Sequence, residues 1–337
     1  MLNPELKLNP KIFDTDVELE PIRKGFGEGL LKAAEIDKRV VGLCADLTES
    51  THMLAFKQKF PDRFVEIGVA EQNLATVASG MAAMGKIPFI SSYATFSPGR
   101  NWEQIRTTIC YNNRPVKIAG SHAGVSVGPD GGSHQAIEDI AITRVLPRMV
   151  VISPCDAIEA RKATMAAVKT DSPTYIRLTR EGTAIMTTEE TPFEIGKARI
   201  YFEPKNKKNA TGSLDAAIIA TGALLHNALK AAKAFEINGK SVAVMNLATI
   251  KPLDGQAVID LARRAGCVVT VEEHQIAGGM GSAVAECLAA HFPVPIEFIG
   301  VRDLYGQSGK PSELIEFYGM GVSHITEAIN RVMIRKK

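Results

Sequence analysis

Short apolar runs rich in valine and isoleucine alternate along the chain with longer segments whose apolar residues recur every three or four positions. The runs at 40–43, 64–67, 88–92, 116–119, 149–153 and 174–178 have the length of strands. The segments at 71–84, 101–110, 135–145 and 156–169 have the period of amphipathic helices. Strands buried on both faces read as continuous apolar runs, and their alternation with helices marks a parallel sheet covered on both sides. The pattern predicts a doubly wound α/β domain over residues 21–190, preceded by an N-terminal extension of residues 1–20. The rhythm lapses after residue 181, where Thr187-Thr188-Glu189-Glu190 and a polar loop at 205–212 flank a candidate strand at 198–202. It resumes with strands near 215–220, 241–246, 268–272 and 295–299 and helices near 226–235, 255–265, 281–290 and 321–332. A smaller α/β domain is therefore expected over residues 191–337.

Composition narrows the function classes. The chain's 337 residues are material for about two domains of ordinary size. Lys plus Arg (39) nearly balance Asp plus Glu (37), so no long-range field invites nucleic acid or a membrane surface, while a small anion can still be held by a local cluster. Cys44, Cys110, Cys155, Cys267 and Cys287 are scattered and form no C-x-x-C pair, which fits reduced, packed thiols in a cytoplasmic protein. Asp14, Asp16, Glu18 and Glu20 exclude a signal-peptide apolar run in the first twenty residues. No uncharged apolar stretch approaches the roughly 18 residues that span a bilayer, and a soluble protein is expected.

Ligands of an open parallel sheet bind beyond the carboxyl ends of its strands. Five expected strands lead into chemically useful loops: Asp46-Leu47-Thr48-Glu49-Ser50, Gly68-Val69-Ala70-Glu71-Gln72, Tyr93-Ala94-Thr95-Phe96, the glycine-rich loop from Gly120 to His134, and Thr179-Arg180. Glycines at 120, 124, 128, 131 and 132, with Pro129, work against a helix in the long loop and allow close backbone approach to a ligand while His122, Asp130 and His134 are brought together. A solvated surface loop is the plainer reading. Glu71 opens a helix from an apolar strand end; a carboxylate there answers the helix dipole, or shares a proton with a ligand nitrogen. Tyr93, Phe96 and Trp102 serve equally as core or as a stacking surface.

The motifs Ala45-Asp46-Leu47-Thr48-x-Ser50, Gly68-Val69-Ala70-Glu71-Gln72, Thr95-Phe96 and His122…Gly128-Pro129-Asp130-Gly131-Gly132-Ser133-His134-Gln135 resemble, in order and spacing, the pyrimidine-binding domain of transketolases. The resemblance runs from about residue 20 to 337, with weaker motifs in the second part, which is similar to the transketolase C-terminal domain. It implies a transferase of the pentose phosphate pathway that uses thiamin diphosphate. Glu71 then matches the glutamate that bonds a ring nitrogen of the aminopyrimidine, and Phe96 the aromatic that stacks on it. Asp46, Leu47 and Tyr93 fall among cofactor-lining positions, and His134 matches a histidine assisting proton transfer at the substrate carbonyl. Arg23, Ser50, His122 and Arg180 match sugar-phosphate contacts, and Asp130 the carboxylate reading a donor hydroxyl. The sequence departs from common family residues at Ala70, Gln72, Gly99 and Pro129. Its Ala-Glu-Gln form also occurs in deoxyxylulose phosphate synthase, but Ser121-His122-Ala123-Gly124 favours transketolase.

The family holds the cofactor's diphosphate through Mg2+ with a Gly-Asp-Gly motif followed by asparagine, and this sequence contains no Gly-Asp-Gly. The expected protein is one subunit of a two-gene transketolase, with no metal ligands of its own. Its partner would be an N-terminal, diphosphate-binding subunit holding Mg2+, in a heterotetramer of two plus two. The runner-up readings are a deoxyxylulose phosphate synthase fragment, a 2-oxo acid dehydrogenase β subunit, and a non-catalytic scaffolding subunit. The Glu272-Glu273-His274 and Gly278-Gly279-x-Gly281 motifs of the second domain read as structural.

Overall fold

The computed structural model of the chain describes residues 1–205 and 212–336, so most of the expected polar loop at 205–212 lies outside the described residues. In chain order the strands are β1 (Leu19–Pro21), β2 (Val40–Cys44), β3 (Phe64–Glu66), β4 (Ile87–Tyr93), β5 (Lys117–Ser121), β6 (Val150–Ile152) and β7 (Thr174–Arg177). They continue as β8 (Gly182–Ala184), β9 (Arg199–Phe202), β10 (Ala216–Ala220), β11 (Val242–Asn246), β12 (Thr249–Lys251), β13 (Val268–Gln275) and β14 (Ile296–Val301). The first sheet has the order β12-β6-β7-β5-β4-β2-β3, parallel throughout except for β12 at one edge. The second has the order β14-β13-β10-β11-β9, with β9 antiparallel. Both are the mainly parallel, helix-covered sheets that the apolar runs predict.

Helices α1 (Ile22–Ile36), α2 (Leu54–Lys59), α3 (Glu71–Ala83), α4 (Trp102–Gln104), α5 (Asp139–Arg144) and α6 (Ala157–Val168) belong to the first sheet's part of the chain. Helices α7 (Leu225–Ile237), α8 (Gly255–Ala265), α9 (Met280–His291), α10 (Pro311–Phe317) and α11 (Val322–Ile334) follow. Val41, Leu43, Ile90, Ile118 and Val151 are buried in one core with Leu74, Ala75 and Ala78 of α3, each larger side chain contributing about 1.5–3 kcal/mol. Val40, Phe89 and Ile176 face a second core with Phe26 and Leu30 of α1. Leu6, Leu8 and Ile12 pack into the core of the second sheet with Tyr201 and Phe202, so the N-terminal segment is anchored to the far part of the molecule.

Two expected helices differ in extent. The segment expected at 101–110 is only a short α-helical turn, α4, continued as a π-helix over Ile105–Tyr111. The helix expected at 135–145 begins only at α5, because Gln135 spends its side chain on the carbonyls of Val125 and Gln307 and Ala136 bridges to Ala123. The glycine-rich loop contains two 3-10 turns, Val125–Asp130 and Gly132–His134, the first interrupted at Gly128. Short i→i+3 turns tolerate such breaks where an α-helix would not. Among the described residues no helix is long and apolar enough to cross a membrane.

Candidate active site

Because β2, β3, β4, β5 and β7 are parallel neighbours, their carboxyl ends form one edge, and all five loops expected to carry chemistry emerge there. The loop after β2 is tied to β3 by Glu66, whose Oε1 accepts from the backbone N–H of Asp46 at 2.7 Å and whose Oε2 accepts from Thr48 Oγ1 at 2.9 Å. That bond fixes Asp46 in the left-handed region, at φ 56°.

Four aromatic side chains from the β4 and β5 loops converge. The Tyr93 ring stacks on His122 with centroids 3.8 Å apart and lies 6.0 Å from Phe96, while His134 meets Phe96 edge-on at 5.4 Å. His122 is 2% exposed. Burial first, then the nearby charges of Arg23 and Arg180, push its pKa down to about 3, so the imidazole is neutral near pH 7. His122 Nδ1 shares a hydrogen bond of 2.8 Å with Ser121 Oγ. Trp102 takes the plainer of its two readings: its indole N–H donates to Ile142 O at 2.6 Å and the ring packs against the core.

Beside the aromatic group two arginines come together. Arg23, in the first turn of α1, donates through Nε to Arg180 O at 3.2 Å and through Nη1 to Ser50 O. Arg180 donates to Val127 O at 2.7 Å and stands 3.6 Å from Asp130. The rim thus offers two forked donors suited to a tetrahedral anion.

Glu71 opens α3 and is 5% exposed. Its backbone carbonyl accepts from Asn101 Nδ2 at 3.0 Å. Its carboxylate lies 3.6 Å from Arg100 Nη1, and the guanidinium of Arg100 lies over the Phe96 ring, 4.1 Å from its centroid. Glu71, Gln72, Thr76, Arg100 and Gln104 line an open cleft of ≈ 840 Å³.

Of the expected site residues, Tyr93, Phe96, His122 and His134 form one cluster and Arg23, Ser50, Asp130 and Arg180 another, with Glu71 joined to Phe96 through Arg100. Asp46 and Leu47 stand on the same edge, but among the described residues neither side chain is hydrogen-bonded or ion-paired to the others. Sequence reasoning passed over Arg100, Asn101 and Glu66. Arg100 had a signal: it lies four residues after Phe96, and its N–H closes back on Phe96 O at 2.9 Å. The turn between them is tight, since a Cβ on Gly99 would stand 2.0 Å from Thr95 O.

Comparison with known proteins matches two family models to successive parts of the chain. The family model for the transketolase pyrimidine-binding domain matches residues 21–184, and that for the transketolase C-terminal domain matches residues 208–325. A Methanocaldococcus jannaschii protein described, provisionally, as a transketolase C-terminal section is 41% identical, covering 93% of this chain and 96% of its own length. The 6-deoxy-6-sulfo-D-fructose transketolase subunit SqwH of Clostridium sp. (strain MSTE9) is 37% identical, covering 96% and 98%. A solved structure described as a split-gene transketolase in an inactive β4 tetramer superposes with a TM-score of 0.86 at 39% identity, covering 94% of this chain and 99% of that one.

Proposed function

The chain belongs to the transketolase family, whose pyrimidine-binding and C-terminal domains it carries, and on that footing we propose that it is one subunit of a thiamin-diphosphate-dependent transketolase. The complex transfers a two-carbon ketol unit from a ketose phosphate to an aldose phosphate. It is active only beside a partner subunit that holds the diphosphate and Mg2+. The observation that carries this reading is the convergence of the buried Glu71 carboxyl, the Phe96 ring and the Arg23–Arg180 pair on one sheet edge.

The residues present fit the pyrimidine end of the cofactor. Phe96 offers a ring face once Arg100, whose side chain is 55% exposed, swings aside, and Glu71, 3.6 Å from Arg100, keeps its carboxyl largely out of water. When bound, thiamin diphosphate supplies the carbon nucleophile and electron sink that ketol transfer needs and that no side chain provides. Glu71 holds a proton on a ring nitrogen, and its burial makes that bond strong. Asp46, Leu47 and Tyr93 line the cofactor. His134 moves a proton at the substrate carbonyl oxygen. Arg23 and Arg180 supply the charge for the phosphate, with Ser50 and neutral His122 completing its hydrogen bonds, and Asp130 accepts from a donor hydroxyl.

Dependence on a partner is supported by the lack of a Gly-Asp-Gly motif and by the names of its relatives, which speak of a section, a subunit and a split gene. The inactive β4 assembly of one relative supports a chain that self-associates without turning over when alone, and the active complex we propose is a heterotetramer of two plus two. A second reading of the donor rests on the sulfosugar relative: a sulfonate has the same tetrahedral oxygens as a phosphate, and the arginine pair serves either.

Mass analysis of sugars incubated with the reconstituted complex tests the reaction. The donor should lose two carbons and the acceptor gain two. Release of carbon dioxide from pyruvate with no such exchange would overturn the reading in favour of a deoxyxylulose phosphate synthase or a 2-oxo acid dehydrogenase.

A further inference from the structure

The glycine-rich loop that carries His122, Asp130 and His134 makes its closest approach to the C-terminal domain. A Cβ on Gly128 would stand 3.1 Å from Pro311 Cγ, one on Gly131 2.7 Å from Ser308 Oγ, and one on Gly132 2.5 Å from Gly306 O. Gln135 Nε2 adds a hydrogen bond of 3.0 Å to Gln307 O. These glycines let two pieces of backbone interlock.

The innermost contact is made by Glu273, on the last turn of pleat of β13. Its Oε1 accepts from Ser126 N at 2.6 Å, and its carboxyl occupies the space beside Gly124 where a Cβ would lie, 2.3 Å from Oε1. Gly124 itself has φ 89°, a conformation costly for any other residue. The main chain of Glu273 is held as well, since its carbonyl accepts from Arg177 Nη2 at 2.7 Å, and Arg177 is in turn paired with Asp139 at 2.8 Å. Glu273 is therefore bonded through its side chain to the loop after β5 and through its carbonyl to the end of β7. Those are the two segments that meet at the rim, where Arg180 bonds Val127 O and faces Asp130.

We propose that Glu273 is a positioning residue for the sugar-phosphate site: the C-terminal domain reaches in with this carboxylate to set the Val125–Asp130 turn, and through it Asp130 and Arg180. The inference rests on the reading of Arg180 and Asp130 as substrate contacts. It gives the C-terminal domain a part in substrate recognition beyond assembly, and the motif Glu272-Glu273-His274 divides accordingly. Glu272 caps α9 by accepting from Met280 and Gly281 N–H, and His274 Nε2 accepts from Ile140 N, both structural duties.

The test uses Glu273→Ala and Glu273→Gln in the full-length chain, reconstituted with the partner. Loss of one charge-assisted bond should raise KM for the phosphorylated donor by about tenfold in Glu273→Ala while kcat changes less than about twofold. The amide oxygen of Glu273→Gln still accepts from Ser126 N–H and should restore KM to within about threefold. In the free chain, Glu273→Ala should speed backbone hydrogen exchange over residues 124–131 without lowering the melting temperature of the rest. If Glu273→Ala fails to fold, Gly124→Ala, which pushes the same carboxylate away from the other side, should give the same rise in KM. Unchanged KM and unchanged exchange, or a fall in kcat alone, would overturn the proposal. A wild-type complex that transfers no two-carbon unit would instead count against the proposed function, and the exchange measurement would still decide the role of Glu273.

Discussion

Arg100 lies over the ring of Phe96, its guanidinium 4.1 Å from the ring centroid, and the same guanidinium comes to 3.6 Å from the Glu71 carboxylate. Such a ring contact is worth about 0.5–1 kcal/mol at an exposed site. A flat ring that stacks on Phe96 must first displace it.

Arg100→Ala should therefore tighten cofactor binding by the complex about two- to fivefold, as that contact energy no longer opposes stacking. Titration followed by fluorescence quenching checks this. Binding weakened tenfold would mean that Arg100 contacts the cofactor.

Removal of the Glu71 carboxylate should remove turnover and little else. Glu71→Ala in the complex should lower kcat by about 10²–10⁴-fold, the range for a positioned proton-transfer group, with far-ultraviolet circular dichroism and partner binding unchanged. Near-normal turnover would refute the assignment.

Arg180→Ala should raise KM for phosphorylated sugars by about tenfold or more, because it removes one forked anion donor. Its pair with Asp130 is partly exposed at 28% and 32%, and such pairs contribute about 0–1 kcal/mol to stability. The melting temperature should hardly move. An effect confined to kcat would contradict the phosphate role.

His122 carries a pH dependence whose sign follows from its depressed pKa. Above the unfolded value near 6.5 the imidazole is neutral in both states. As pH falls below that value the unfolded chain takes up a proton that the folded chain refuses until about pH 3, so stability declines across this window. Denaturant titrations at pH 7 and pH 4 should show a smaller loss for His122→Gln than for the parent chain. Equal losses would show that another group sets the acid response.

The first sheet was legible in the sequence because its strands are buried on both faces and read as apolar runs; observed β2, β4 and β7 begin or end within one residue of their expected bounds. Helix α1 was not. Gly25, Gly27 and Gly29 look like breakers, yet a Cβ on Gly25 would stand 1.8 Å from Ala157 O and one on Gly29 2.8 Å from Arg161 O, so these two serve the packing of α1 on α6, while one on Gly27 would stand 2.4 Å from His52 O. Without α1 the reason Arg23 reaches Arg180 could not be seen. The same limit hid Glu273: a strand expected to stop at 272 runs to Gln275, and nothing local to Glu273 points across to Ser126. Glu71, Phe96 and His122 were legible because each lies just after a readable strand, and His134 because it closes the glycine-rich loop that follows β5.

Dependence on a partner is decided by whether the purified chain turns over alone. The assay supplies thiamin diphosphate, Mg2+, a ketose phosphate and an aldose phosphate, with and without the diphosphate-binding subunit. No transfer above background is expected from the lone chain, and activity should rise with added partner until the two are equimolar. Transfer by the lone chain at the rate of the mixture would contradict that dependence.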